Sequence, residues 1–223
     1  MEVLLVLITI TLATAIAVAI VQASFFEWAF HRYWLHRPWL PESCFTTHTL
    51  IHHQLCKYDD TFHVTEPEQE EALTFQWWGG PVLITINVIP WALIAWGLVR
   101  LHSGVPVVPG MIAFSATFLA YYIGYEGLHY LMHKPRIAFI ETSAFFRFIK
   151  RHHAIHHVRM NKNLNVVLPI ADFCLGTLVR EMPDLAAKPT GERARLTARE
   201  HSRWGQRLRE GERERKAGGA GSR

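Results

Sequence analysis

The stretch "VLLVLITITLATAIAVAIVQASFF" constrains this chain most: from Val3 to Phe26 it carries no charge. At about 1.5 Å rise per residue, a helix of that length crosses a hydrocarbon core of roughly 30 Å. A cleaved signal peptide is the competing reading, and "VQAS" has some look of a cleavage site. The region ahead of the run has no positive charge, and the run is too long, so a retained transmembrane helix is favoured. Two more apolar runs follow. "PVLITINVIPWALIAWGLV" spans Pro81 to Val99, with a kink expected at Pro90. "VPVVPGMIAFSATFLAYYIGY" runs from Val105 to Tyr125 and opens at a Pro/Gly breaker. Only "RLHSG" separates them, short enough for a transmembrane hairpin. Trp77, Trp78, Trp91 and Trp96, with Tyr121, Tyr122 and Tyr125, include candidate interfacial anchors.

Charge sets an expected orientation. Residues 1–180 carry twelve Lys/Arg and twelve Asp/Glu, and residues 181–223 eleven and seven, so the net +4 lies in the tail. That tail, "GERARLTAREHSRWGQRLREGERERKAGGAGSR", is poor in large apolar residues and reads as disordered or a loose polar helix. Its mixed signs point to a solvated segment near anionic headgroups rather than to nucleic acid. Domains are therefore expected at 1–180 and 181–223. No Lys or Arg precedes the first span and only Arg100 lies in the hairpin loop. Lys134, Arg136, Arg147, Lys150, Arg151, Arg159 and Lys162 all follow the third span. The positive-inside rule then places residues 27–79 and everything after the third span in the cytosol. Cys44, Cys56 and Cys174 form no paired metal-binding spacing and suit reduced thiols there.

That topology collects nearly all the histidines on one side of the membrane; His102 falls on the other. "HRYWLH" holds His31 and His36, "HTLIHH" holds His48, His52 and His53, "HYLMH" holds His129 and His133, and "HHAIHH" holds His152, His153, His156 and His157. Residues four apart on an α-helix lie about 40° apart, so His129 and His133 can share a centre. His153, His156 and His157 fall within roughly 100° of arc, with His152 at its edge, whereas His31 and His36 diverge by about 140°. Burying so many imidazoles without a partner would leave polar groups unsatisfied near hydrocarbon. Neutral imidazole suits iron, zinc and copper, and the set exceeds what one ion can use, so two metals are expected.

These four ordered motifs, with "EWAFHRYWLH", "YEGLHYLMH" and "NLNVVLPIADFCLGT" around them, resemble the integral-membrane fatty acid hydroxylase/sterol desaturase superfamily over roughly Glu27 to Thr177. The resemblance implies an all-α integral-membrane helical bundle with a cytosolic-face helical cap holding a dimetal centre. Its implied ligands are His31, His36, His48, His52, His53, His129, His133, His153, His156 and His157. It implies two iron ions (zinc can occupy the site in isolated protein), O2 as co-substrate, a lipid substrate from the bilayer and a separate electron-transfer protein. Because the motif needs one histidine ahead of the final pair, His152 reads as a neighbour. Glu27, Glu126 and Asp172 could orient imidazoles by accepting their second N–H, or be ordinary helix-face and loop carboxylates. His63 in "DDTFHV" has no firm place in the pattern and is, with His152, a candidate to stand just behind the ligands; Asp59 and Asp60 could cap a loop, and His102 and His201 are not expected to ligate. The family often has more crossings than three, which leaves part of "FFRFI" to Thr177 for the membrane interface.

The expected activity is hydroxylation of a lipid C–H bond on an acyl, sterol or related chain, with desaturation at the same centre as the alternative. A membrane metal-binding or transport protein is the reading from another class; the scarcity of polar residues in the central turns of the spans counts against it. A zinc hydrolase is disfavoured because no HExxH arrangement appears.

Overall fold

The computed structural model of the chain describes residues 1–39, 41–57, 62–64, 67–102 and 104–182. Asp59, Asp60, His201 and the charged tail beyond 182 lie outside these, as do the expectations attached to them. Residues 1–181 form one compact unit. Among the described residues all regular structure is helical: α1 (Glu2–Phe30), α2 (Glu42–Phe45), α3 (His53–Leu55), α4 (Gly79–Arg100), α5 (Val107–His133), α6 (Ala138–Glu141), α7 (Ala144–Val158) and α8 (Ile170–Cys174). A 3₁₀ segment, Pro67–Ala72, lies between α3 and α4.

Three helices are long and apolar enough to cross a membrane: 2–35, where α1 runs on through a further turn, 79–100 and 107–133. α4 continues through Pro90, so that position does not end the helix. α1 and α5 run parallel. Ala19 and Ala23 pack on Phe114 and Phe118, and Gly110 lies so close to Thr11 that a Cβ there would come within 2.8 Å of its methyl group. Small residues allow such approach where lipid supplies no hydrophobic drive between helices. α4 runs antiparallel to both. It meets α1 through Gln22, which donates to the Asn87 side chain (3.0 Å) and main-chain carbonyl (3.3 Å) and accepts from the Trp91 indole (2.6 Å). The Asn87 amide donates in turn to the Leu83 carbonyl of its own helix (2.8 Å).

With this arrangement the C-terminal ends of α1 and α5 and the N-terminal end of α4 share one end of the bundle. The short helices gather there. α7 starts at Ser143, whose hydroxyl accepts the Phe146 N–H, and is buried along Phe146, Ile149, His152, His153, Ile155 and His156. Its exposed Phe145 and Phe148 face outward. α8 is tied to α1 through Ser24, whose hydroxyl donates to the Leu168 carbonyl and accepts the Ala171 N–H.

Candidate metal centre

Two helical turns leave the α pattern, and both carry histidines. After α1 the chain winds as a π-helical turn, His31–Leu35, in which the His36 N–H donates to the His31 carbonyl five residues back (3.2 Å). A second π-helical segment, Thr46–His52, places the His53 N–H on the His48 carbonyl. Bonding five residues apart stacks positions i and i+5, and such turns cluster at functional sites. The divergence of about 140° expected for His31 and His36 on an α-helix is therefore corrected: their rings stack, with centroids 5.0 Å apart. His48 and His53 likewise meet, at 4.8 Å.

Nine histidines form two abutting groups. His31, His36, His48, His53 and His156 make the first, and His52, His133, His153 and His157 the second; within each group one ring nitrogen per residue lies within 4.8 Å of all the others. The rings of His53 and His157 stack across the boundary at 4.3 Å. Neither group follows the sequence motifs. "HTLIHH" sends His48 and His53 to the first and His52 to the second, and "HAIHH" sends His156 to the first and its other two to the second.

His129 belongs to neither group but sits against the second, with its ring 4.8 Å from His52 and 4.9 Å from His153. It donates from Nδ1 to the Leu73 carbonyl, while its buried Nε2 has no protein partner. His152 points elsewhere. Its Nε2 bonds Asp172 (3.0 Å), and it joins neither group. His63 is exposed and meets Lys150, and His102 lies at the opposite end of the bundle in the α4–α5 turn. The three carboxylates do not accept from any grouped imidazole. Glu27 takes the Tyr121 hydroxyl, the Asn165 amide and the Val166 N–H. Glu126 takes the Phe75 N–H and the Tyr122 hydroxyl. Main-chain carbonyls fill the role expected of these acids: Leu164 for His31, Lys162 for His156 and Phe62 for His133. A carboxylate is visible in a sequence; a carbonyl belongs to every residue and is not.

Those carbonyls fix the tautomers. A carbonyl only accepts, so Nδ1 of His156 carries the proton and its Nε2 is a bare lone pair. His36 reaches the same state through Thr49, whose single hydroxyl proton goes to the Leu35 carbonyl (2.6 Å), leaving the oxygen to accept from His36 Nδ1 (2.9 Å). Yet the Nε2 atoms of His36 and His156 stand 3.0 Å apart. His31 Nε2 and His48 Nε2 approach to 2.9 Å, and His53 Nε2 lies 3.1 Å from His48 and 3.2 Å from His156. In the second group His153 Nε2 stands 3.0 Å from those of His133 and His157, and both nitrogens of His52 lack a protein partner.

Two lone pairs at that distance repel unless a proton or a metal cation sits between them. Burial first, then neighbouring imidazoles, hold His36, His48, His52, His53, His153 and His157 well below the usual imidazole range, and burial lowers His156 to about 4. Between His36 and His156, whose Nδ1 atoms carry their single protons, none is left at neutral pH to fill the gap. The converging lone pairs fit a cation, and the two groups could hold metal ions.

Asp172 differs from its surroundings. Burial by itself would raise its carboxyl, but bonds from His152, Thr177 and the Asn165 and Leu164 N–H groups hold it below the usual carboxylate range. No protein-family model matches the chain, and neither does a curated protein or a solved structure.

Proposed function

We propose that this protein is a membrane-bound di-iron, O2-dependent oxidoreductase that hydroxylates a C–H bond of a lipid. The observation that carries this reading is the pair of abutting, buried, all-imidazole groups at one end of a membrane-spanning bundle. The donor set supports it in two ways. Six-coordinate metal with bonds of about 2.1 Å places neighbouring donors about 3.0 Å apart, whereas tetrahedral zinc places them about 3.4 Å apart. Four of the Nε2 separations in the first group, at 2.9–3.2 Å, lie near the former. At six-coordination, five donors and four donors would leave one and two positions open for oxygen.

His31, His36, His48, His53 and His156 would hold one ion, and His52, His133, His153 and His157 the other, with His129 against the second. Bound there, two iron ions with O2 and two electrons supply the oxidising power that no side chain has. The net reaction is R–H + O2 + 2 electrons + 2 protons giving R–OH + H2O. The chain's own residues orient the imidazoles through main-chain carbonyls, exclude water by burial, and offer the substrate an apolar approach. A cavity of about 40 Å³ between α1, α4 and α5, walled by Phe30, Phe75, Phe118 and Tyr125, ends on His31. The lysines and arginines that follow α5, set against a lone Arg100 at the far end, favour a cytosolic site, where a separate electron carrier can reach it.

Lipid mass spectrometry of cells with and without the protein tests this. The expected result is a lipid heavier by one oxygen, labelled when cells are grown under ¹⁸O2. A lipid lighter by two hydrogens would identify the desaturase instead, and unchanged lipids would contradict both.

A further inference from the structure

We propose that Asp172 is a positioning residue for the first histidine group alone. The inference rests on the dimetal reading and adds that the two sites are oriented by two different stretches of main chain. Residues 163–167 are buried without regular structure, so each backbone polar group there needs a designated partner. Asp172 supplies two. Its Oδ1 accepts the Leu164 N–H (3.0 Å) and the Thr177 hydroxyl (2.6 Å), and its Oδ2 accepts the Asn165 N–H (2.8 Å) and His152 Nε2 (3.0 Å). Four donors saturate the four acceptor sites of an ionised carboxylate. The Asn165 side chain returns the contact by accepting the Asp172 N–H (3.1 Å). Asn163, at φ +53° in a conformation that asparagine tolerates, bonds the His152 carbonyl and brackets the Val179 backbone.

This clamped segment delivers two acceptors to the centre. The Lys162 carbonyl takes Nδ1 of His156 and the Leu164 carbonyl takes Nδ1 of His31. Both imidazoles belong to the first group. The side of the second group is served from elsewhere in the chain: Phe62 for His133 and Leu73 for the adjacent His129. That stretch is pinned independently, by the Val64 N–H on the His133 carbonyl (2.8 Å) and by Glu70, which binds Lys134 and the Tyr130 hydroxyl. Asp172 has no part in it.

Asparagine at 172 keeps the shape but offers one acceptor oxygen, so either the Leu164 or the Asn165 N–H loses its partner and the peptide that carries the Leu164 carbonyl is held less firmly. Partners of ligating imidazoles typically govern affinity by roughly ten- to hundredfold. The test is a cobalt(II) titration of the full chain in detergent after chelator treatment. In Asp172→Asn the expected outcome is that one of two binding phases weakens by that factor and the other is unchanged. In a His133→Ala background, where only the first site remains, the same substitution should weaken the single phase. Thr177→Val, which keeps the carboxylate and removes one donor, should weaken the same phase by a smaller factor, and it decides the matter should the asparagine variant not fold. Two unchanged phases, or equal weakening of both in a folded variant, would overturn the proposal. A wild-type chain that binds fewer than two cobalt ions at saturation would contradict the dimetal reading instead, so the two failures are distinguishable.

Discussion

Replacing His156 with alanine is expected to remove the metal of the first group and to lower turnover at least about a hundredfold. His156 is fully buried, and its Nε2 lies within 3.2 Å of those of both His36 and His53. The substitution also strands the Lys162 carbonyl, which His156 alone is seen to engage through a side chain. Metal content by mass spectrometry and product formation by lipid analysis read the two effects separately. His102→Ala, at the other end of the bundle, is the matched control and should change neither. Full metal content in His156→Ala would remove that residue from the site.

The second large effect concerns folding rather than metal. Glu27 is a buried carboxylate on α1 that holds three donors from two other parts of the chain: Tyr121 on α5, and Asn165 and Val166 in the loop before α8. Leucine fills the same space and accepts none of them. A buried donor left unmatched costs roughly 1–3 kcal/mol, so Glu27→Leu should destabilise the fold by about 3–5 kcal/mol. Glutamine keeps one oxygen for the Val166 N–H and should cost less. Thermal unfolding of the detergent-solubilised protein measures both. A loss under about 1 kcal/mol for leucine would show that the clamp contributes little to stability.

These two residues show where the sequence was legible. The three spans could be read because lipid selects for hydropathy over a fixed length, a property carried by composition alone. The α-helical pair His153 and His157 could be read because residues four apart share a face whatever surrounds them. The pairing of His31 with His36 could not, since it depends on a π-helical turn that the neighbouring elements stabilise. The division of adjacent residues was equally hidden. His52 and His53 stand side by side in one motif yet belong to different groups, because successive residues on a helix point about 100° apart. Glu27, Glu126 and Asp172 were visible as candidates for orienting imidazoles. Their actual partners are backbone N–H groups, tyrosine hydroxyls, Asn165, Thr177 and His152, and the orienting acceptors of His31, His133 and His156 are carbonyls whose residue identity carries no signal.

The central claim is that the two histidine groups each hold one metal ion. The most direct test is the metal-to-protein ratio of the full chain purified under iron-replete conditions, measured by inductively coupled plasma mass spectrometry against quantitative amino-acid analysis. Two metal ions per chain, predominantly iron, is the predicted result; a reproducible value of one or none would contradict it.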